Sequence, residues 1–176
     1  MASSTPKVPD FLRQVSLFQD MDEVVLLTLL PCRAARKIRA GETIFREFDP
    51  SDALYIVESG KVVVSKHVSG QTDIVLTRFS PGDFFGEMGL FDAAPRSASA
   101  FAELDTTVWK LERDAFHEIL IDRPEIGARI CYRLVNIFIQ RLRVTNDQAR
   151  EAIRWGLEAT GYTPGQDAAP FGRKST

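Results

Sequence analysis

The chain has 176 residues, of which 44% are hydrophobic and 26% are charged, an ordinary balance for a globular protein. Its formal net charge of −2 gives no global signal for binding a nucleic acid or an anionic membrane. The longest apolar run, Val24–Leu30, is far shorter than the roughly 20 residues needed to cross a bilayer, and no basic and apolar leader opens the chain. We therefore expect a cytoplasmic protein in which Cys32 and Cys131 are reduced thiols, with one disulfide between them as the alternative.

The N-terminal region contains a predicted tail followed by a helical segment. Two prolines and several small polar residues indicate a flexible tail over residues 1–10. From Phe11 to Leu30, apolar residues recur three or four positions apart, which predicts a helix. Asp20 and Asp22 are candidate caps for its second part.

From Cys32 to Lys110 the pattern changes to short stretches rich in β-branched and aromatic residues. Turn sequences containing Gly or Pro separate these stretches, as at residues 40–42, 59–60 and 80–83. Short strands at this even spacing predict an antiparallel sandwich or barrel.

The C-terminal part of the chain predicts two helices and a tail. A short helix runs from Asp114 to about Ile121, and Pro124 suits the first turn of the next helix. This second helix extends over residues 124–159, which makes it about 54 Å long at 1.5 Å per residue. Residues 160–176, rich in Gly and Pro, predict a second flexible tail.

The long helix carries two apolar faces. One is a heptad seam with an unbroken alternation of three- and four-residue spacings, formed by Val135, Phe138, Leu142, Thr145, Ala149, Ala152, Gly156 and Ala159. The other is expected to pack the start of the helix on its own domain and comprises Ile126, Ile130, Leu134 and Ile137. A helix this long extends beyond a compact barrel, so we expect the seam to pair with a second chain. Ordinary core packing of the seam is the alternative.

The stretch FFGEMGLFDAAPRSASA, residues 84–100, places Glu87 nine positions before Arg96. One helical turn over GEMGL would direct backbone N–H groups at an anion, and Gly86 would allow close approach to the backbone. Arg96 would add a planar two-donor fork. Glu87 would repel an anion, so its role would be to accept a hydrogen bond from a neutral group attached to it, such as a sugar hydroxyl. These residues therefore predict a site for a phosphate joined to ribose. The alternative is a surface ion pair between Glu87 and Arg96, worth about 0–1 kcal/mol.

The run PGDFFGEMGLFDAAPRSASA closely resembles the phosphate-binding cassette of cyclic nucleotide-binding domains. The segments AGETIF and DPSDALYIVESGKVVV resemble the hairpins that open such domains, and FIQRLRVTNDQ resembles the C-helix of the catabolite activator family of regulators. The resemblance covers about residues 14–150. It implies an α+β fold in which an eight-stranded antiparallel β-roll, a double-stranded β-helix or jelly roll, is flanked by N-terminal helices and a long C-terminal helix.

The same resemblance implies a role for each residue of the cassette. Arg96 would pair with the cyclic phosphate, and Glu87 would accept a hydrogen bond from the ribose 2′-hydroxyl. Three further residues would surround the phosphate with backbone amides, and the last of them would add a hydroxyl: Gly86, Met88 and Ser97.

Residues outside the cassette are implied with it. Val64 and Thr77 stand where the strands of the family contact the base. Thr145 and Asn146 stand where the adenine amino group is recognised, one residue from each subunit. For Thr145 the alternative is a hydroxyl that bonds back to its own helix. Phe48 replaces a Gly that is common in the family, so we expect a different turn geometry there.

We therefore expect residues 11–122 to form a cyclic nucleotide-binding β-roll and residues 123–159 to form a lid and dimerisation helix. The expected function is a receptor for cyclic AMP in signal transduction, not an enzyme, with no cofactor. Cyclic GMP is the alternative ligand, because a hydroxyl at Ser97 can also serve a guanine. A degenerate dimeric scaffold that acts on a separate effector is the alternative function.

The expected partners are the cyclic nucleotide, a second copy of the chain and an effector protein that the sequence does not identify. The catabolite activator family continues into a helix-turn-helix domain of roughly seventy residues. Here 17 residues follow Ala159, and no recognition helix can be built from them. We therefore expect neither direct DNA binding nor membrane binding from a natural small protein. A regulatory fragment of a larger protein is the alternative. His67 and His117 are expected at the surface and not as metal ligands.

Overall fold

A computed structural model of the chain describes residues 8–19, 21–29, 33–70 and 72–161. Within these ranges, eight antiparallel strands form two four-stranded sheets. The strands in chain order are β1 (Arg33–Ile38), β2 (Thr43–Phe45), β3 (Ala53–Ser59), β4 (Val62–Ser69), β5 (Thr72–Phe79), β6 (Phe84–Phe85), β7 (Ser99–Ala102) and β8 (Thr106–Glu112).

The two sheets interleave strands that are distant in the chain. One sheet has the order β1-β8-β3-β6, and the other has the order β2-β7-β4-β5. Burial alternates along β2 and β7, as expected for strands with one face on a core. Ten of the buried side chains form a cluster within the β-roll: Ile38, Ile44, Ala53, Tyr55, Val57, Val62, Phe85, Ala100, Ala102 and Val108. The predicted fold class, an antiparallel β-roll with flanking helices, is confirmed.

The N-terminal region is helical, as its apolar spacing predicts, but it is divided into several short helices. Two 3-10 helices, Asp10–Gln14 and Ser16–Phe18, precede α1 (Glu23–Leu29). The interruption has a backbone cause, because Val15 and Gln19 adopt extended ψ angles of 119° and 136°.

One of the two predicted helix caps of this region is present in the structure. The carboxylate of Asp22 accepts a hydrogen bond from the N–H of Val25 at 2.9 Å, so Asp22 caps α1 as predicted. Asp20 lies outside the described residues. Within the last three residues of the predicted tail over residues 1–10, Val8 is buried and a 3-10 helix begins at Asp10. The remainder of that tail lies outside the description.

Two helices follow the β-roll. They are α2 (Arg113–Asp122) and α3 (Pro124–Ala159), and Pro124 occupies the first position of α3 as predicted. Gly127 permits a close approach of the two helices, since a Cβ at this position would lie 2.6 Å from Cδ2 of Leu120. No helix in the described part of the chain has both the length and the apolar character to pass through a bilayer.

The described residues fall into two compact units that divide between Cys131 and Tyr132. The domain boundaries expected at residues 10, 122 and 159 remain predictions. Cys131 is half-buried, and burial raises the pKa of its thiol; Cys32 lies outside the described residues.

The two apolar faces of α3 differ in exposure. Of the set expected to pack on the chain itself, Ile130 and Leu134 are fully buried. The heptad seam is exposed instead, with 52% of Val135 and 60% of Leu142 accessible to solvent. Only Phe138 of the seam is half-buried, and from Thr145 to Ala159 every seam residue is exposed.

Candidate functional site: a buried arginine in the cassette

The cassette begins as a tight turn at the end of β6. Gly86 has a left-handed backbone (φ +73°) and precedes a 3-10 helix, Glu87–Leu90, which is the helical turn predicted for GEMGL. A Cβ at Gly86 would lie 2.7 Å from Nη1 of Arg96, and a Cβ at Gly89 would lie 2.6 Å from Oγ of Ser51. The absence of a Cβ at these two glycines therefore allows the side chains of Arg96 and Ser51 to approach the backbone of the cassette closely.

Arg96 is the centre of the site and is only 5% exposed. Its Nη1 donates to the carbonyl oxygens of Ala53 at 2.9 Å and Gly86 at 3.1 Å. Nη2 has a long contact of 3.5 Å with Oδ1 of Asp52. Nε is buried and has no hydrogen-bond partner in the described part of the chain.

Two backbone carbonyls bind one side of the guanidinium, and its other side can donate hydrogen bonds to a ligand. Nη1 is saturated by two carbonyls, whereas Nε and Nη2 share the edge from which arginine donates two parallel hydrogen bonds to an oxyanion. The ring of Phe45 covers one face of the group, with its centroid 4.3 Å from Cζ. The geometry fixes the orientation of the fork and leaves its two-donor edge for an anion.

The electrostatics of Arg96 favour an anionic partner. Burial lowers the pKa of the guanidinium below its usual value, and Tyr55 and Asp52 only partly oppose this effect. An arginine stays protonated in a protein, so the buried charge must be compensated by neighbours or by a ligand. The carboxylate of Asp52 lies 3.5 Å from Nη2 of Arg96, and the Asp52 side chain is 59% exposed to solvent, which weakens its compensation of the charge.

The other residues predicted for the cassette lie around this turn. Glu87 is 7% exposed, so both members of the pair are buried and the alternative of a surface ion pair is wrong. Met88, the next residue, is 55% exposed. Ser97 is exposed beside Arg96, and its carbonyl accepts a hydrogen bond from Nζ of Lys66 at 3.2 Å.

A second turn holds the backbone of Arg96. The N–H of Phe48 donates to the carbonyl of Arg96 at 2.9 Å, and the N–H of Arg96 donates to the carbonyl of Asp49 at 2.9 Å. Phe48 has φ +71°, the left-handed conformation that a Gly would adopt, so the expectation of a different turn geometry is wrong. The N–H of Phe48 makes its bond to Arg96 from this conformation, and the Phe48 side chain is 78% exposed to solvent.

Arg113, at the start of α2, supports the cassette and was not anticipated from the sequence. Its Nε donates to the carbonyl of Gly89 at 2.7 Å, and its Nη2 donates to the carbonyls of Asp92, at 2.6 Å, and Ser51. No sequence signal could have revealed this role, because backbone carbonyls carry no residue identity.

The two residues predicted to contact the base lie side by side. Val64 of β4 pairs directly with Thr77 of β5, so both side chains project from the same face of the sheet. Val64 is half-buried and packs against the core cluster, whereas Thr77 is exposed. Contact of either residue with a base remains a prediction.

Thr145 and Asn146 lie on the part of α3 that belongs to the second compact unit, and both are exposed. The hydroxyl of Thr145 donates to the carbonyl of Arg141 at 2.9 Å. This bond to its own helix is the alternative to base recognition that was given for Thr145 above. Recognition of a base by these two residues therefore stays a prediction.

Comparison with known proteins points to one family. Residues 35–123 match the family model described as the cyclic nucleotide-binding domain. A CRP-like cAMP-activated global transcriptional regulator of Mycobacterium tuberculosis is 31% identical over 144 residues, which cover 82% of this chain and 62% of the regulator.

Two solved structures are also similar. The catabolite activator protein of Thermus thermophilus superposes with a TM-score of 0.70 at 30% identity and covers 78% of this chain and 62% of its own. The regulatory domain of Toxoplasma gondii PKA, crystallised with cAMP, has a TM-score of 0.56 at 38% identity and covers 62% of this chain and 41% of its own. This chain spans less than two thirds of each of these relatives.

Proposed function

The chain belongs to the cyclic nucleotide-binding domain family, and we propose that it is a receptor that binds cyclic AMP through Arg96 and Glu87. The observation that carries this proposal is the buried guanidinium of Arg96, whose Nε has no hydrogen-bond partner within the described residues and whose Nη2 reaches Asp52 only at 3.5 Å. A cyclic phosphate would accept two hydrogen bonds from this edge and would compensate the buried positive charge.

Glu87 supplies the second element of recognition. Its carboxylate repels a phosphate, so its part in binding would be to accept a hydrogen bond from a neutral group of the ligand, and it lies buried in the cassette at 7% exposure. The ribose 2′-hydroxyl of a cyclic nucleotide is a neutral donor of this kind. The backbone amides of Gly86, Met88 and Ser97 complete the proposed phosphate site.

Cyclic AMP is proposed as the ligand for two reasons. The Mycobacterium regulator is named as cAMP-activated, and the Toxoplasma domain was crystallised with cAMP. In addition, the resemblance of FIQRLRVTNDQ to the C-helix of the catabolite activator family implies that Thr145 and Asn146 would recognise the adenine amino group. Cyclic GMP is the second candidate, since the exposed hydroxyl of Ser97 beside Arg96 can also contact a guanine.

We further propose that α3 closes over the bound base and pairs with α3 of a second copy. The exposed heptad seam supports the pairing, because the large side chains at its N-terminal end leave apolar area accessible in the single chain. The smaller seam residues, from Ala149 onwards, would allow two helix backbones to approach closely but would bury little area each.

We propose that the protein is cytoplasmic and that it regulates an effector protein in response to the bound nucleotide. The similar proteins are named as a transcriptional regulator, an activator protein and a regulatory domain, which supports a binding function without catalysis.

The proposal is tested by isothermal titration of the full chain with cyclic AMP, cyclic GMP and cyclic di-GMP, with its mass measured with and without ligand. We expect cyclic AMP to bind most tightly and cyclic di-GMP to show no heat of binding. Absence of binding by both mononucleotides to the folded protein would disprove the receptor. Preference for cyclic GMP would retain the receptor and replace its ligand.

A further inference from the structure

One carboxylate is shared between the arginine of the cassette and a lysine outside it. Oδ1 of Asp52 lies 3.5 Å from Nη2 of Arg96, while its Oδ2 lies 3.1 Å from Nζ of Lys110. Lys110 also contacts Oε1 of Glu112 at 3.2 Å. Asp52 is therefore closer to the lysine than to the arginine.

The position of Asp52 matters because Nη2 of Arg96 is one of the two donors on the edge proposed for the phosphate. A carboxylate that moved closer to Nη2 would occupy this donor and would repel an incoming anion. The hydrogen bond from Lys110 to the other oxygen holds Asp52 in its present place and neutralises part of its charge.

We propose that Lys110 is a positioning residue that sets the affinity for the cyclic phosphate by keeping Asp52 away from Arg96. This inference rests on the proposed function, since it concerns the same phosphate site. Lys110 makes no contact with the ligand in this proposal and acts through Asp52 alone.

The surroundings of Lys110 keep it charged and in place. It lies in β8 between Ala34 of β1 and Tyr55 of β3, and its side chain is 24% exposed. Burial by itself lowers the pKa of Lys110, but the hydrogen bonds to Asp52 and Glu112 outweigh this effect and raise the pKa above its usual value. The lysine is thus a permanent cation at physiological pH.

The test begins with Lys110→Met in the full chain, measured by titration with cyclic AMP. Methionine is an unbranched apolar side chain of similar length to the lysine stem, so this variant removes the charge and keeps a side chain of comparable shape on β8. We expect the affinity to fall about three- to tenfold. Lys110→Arg, which keeps the charge, should stay within twofold of the original affinity.

A matched control and a double variant separate this role from general effects of charge or fold. Lys61→Met removes a lysine that pairs with Glu103 and should change the affinity less than twofold. In the Asp52→Asn variant the carboxylate charge is absent, so Lys110 has no anion to keep away from Arg96. Adding Lys110→Met to this variant should therefore lower the affinity for cyclic AMP by less than twofold. Thermal melting followed by circular dichroism establishes that each variant folds. If Lys110→Met does not fold, Lys110→Gln is measured in its place.

The outcomes distinguish this inference from the proposed function. If the unaltered chain does not bind cyclic AMP, the proposed function fails. If it binds, and Lys110→Met binds equally well, Lys110 has no positioning role. The inference would also be overturned if Lys110→Met weakened cyclic AMP binding equally in the original chain and in the Asp52→Asn variant. That result would show that Lys110 acts without Asp52.

Discussion

The substitution Arg96→Lys separates the geometry of the arginine fork from its charge. Nη1 of Arg96 is occupied by the carbonyls of Ala53 and Gly86, so the proposed phosphate bonds come from Nε and Nη2. A lysine keeps one positive charge but offers a single nitrogen in place of three. It can hold the carbonyls or approach the phosphate, and it cannot reproduce two parallel bonds to the anion.

The size of the effect follows from the number of bonds lost. A hydrogen bond to a charged group contributes about 1.5–3 kcal/mol, so the loss of one of two bonds should weaken cyclic AMP binding about ten- to hundredfold. Arg96→Ala loses both bonds and the charge and leaves the phosphate partly unpaired, which should cost about 2–5 kcal/mol and at least tenfold in affinity.

The assay is calorimetric titration of both variants against a matched control. Arg36→Lys changes another arginine that donates to a backbone carbonyl, that of Ile44 at 3.3 Å, outside the cassette. The control should bind within twofold of the original chain. If Arg96→Lys binds as tightly as the original, charge alone accounts for binding and the two-donor edge is not used. If Arg96→Ala also binds unchanged, the site has been assigned to the wrong residue.

Three further predictions concern the supports of the site and the seam. Phe48→Gly should be about 1 kcal/mol more stable to denaturant than Phe48→Ala, because only Gly removes the cost of φ +71°; equal stabilities would contradict a strained turn. Gly86→Ala should lose about 1–3 kcal/mol of stability and weaken cyclic AMP binding, whereas Gly70→Ala, with no atom within 4 Å of its Cβ, should leave binding intact; a loss of binding in both would mean that φ strain alone is responsible. Leu142→Asp should shift the chain toward the monomer in sedimentation, and Val144→Asp, similarly exposed but off the seam, should not; equal effects would refute pairing through the seam.

Much of this protein is visible in its local sequence patterns. The bounds of α3 follow from its unbroken helical periodicity and from Pro124, and the cap at Asp22 follows from its side chain. The cassette is recognisable because Glu87 and Arg96 stand at a fixed spacing around one glycine turn. In each of these cases the interacting groups are close in the chain or belong to a periodic face, so residue types and spacing carry the information.

Long-range backbone contacts decided the rest. Arg96 is held by a carbonyl of Ala53 and touches Asp52, more than forty residues away, and Arg113 grips carbonyls of Ser51 and Gly89. Every residue has a carbonyl, so the sequence contains no sign of which one an arginine will meet. The left-handed turn at Phe48 likewise coincides with a hydrogen bond to the backbone of Arg96, which is 48 residues away in the chain. Folding of the sheets brings these groups together, and their distances determine which edge of the guanidinium is left for an anion.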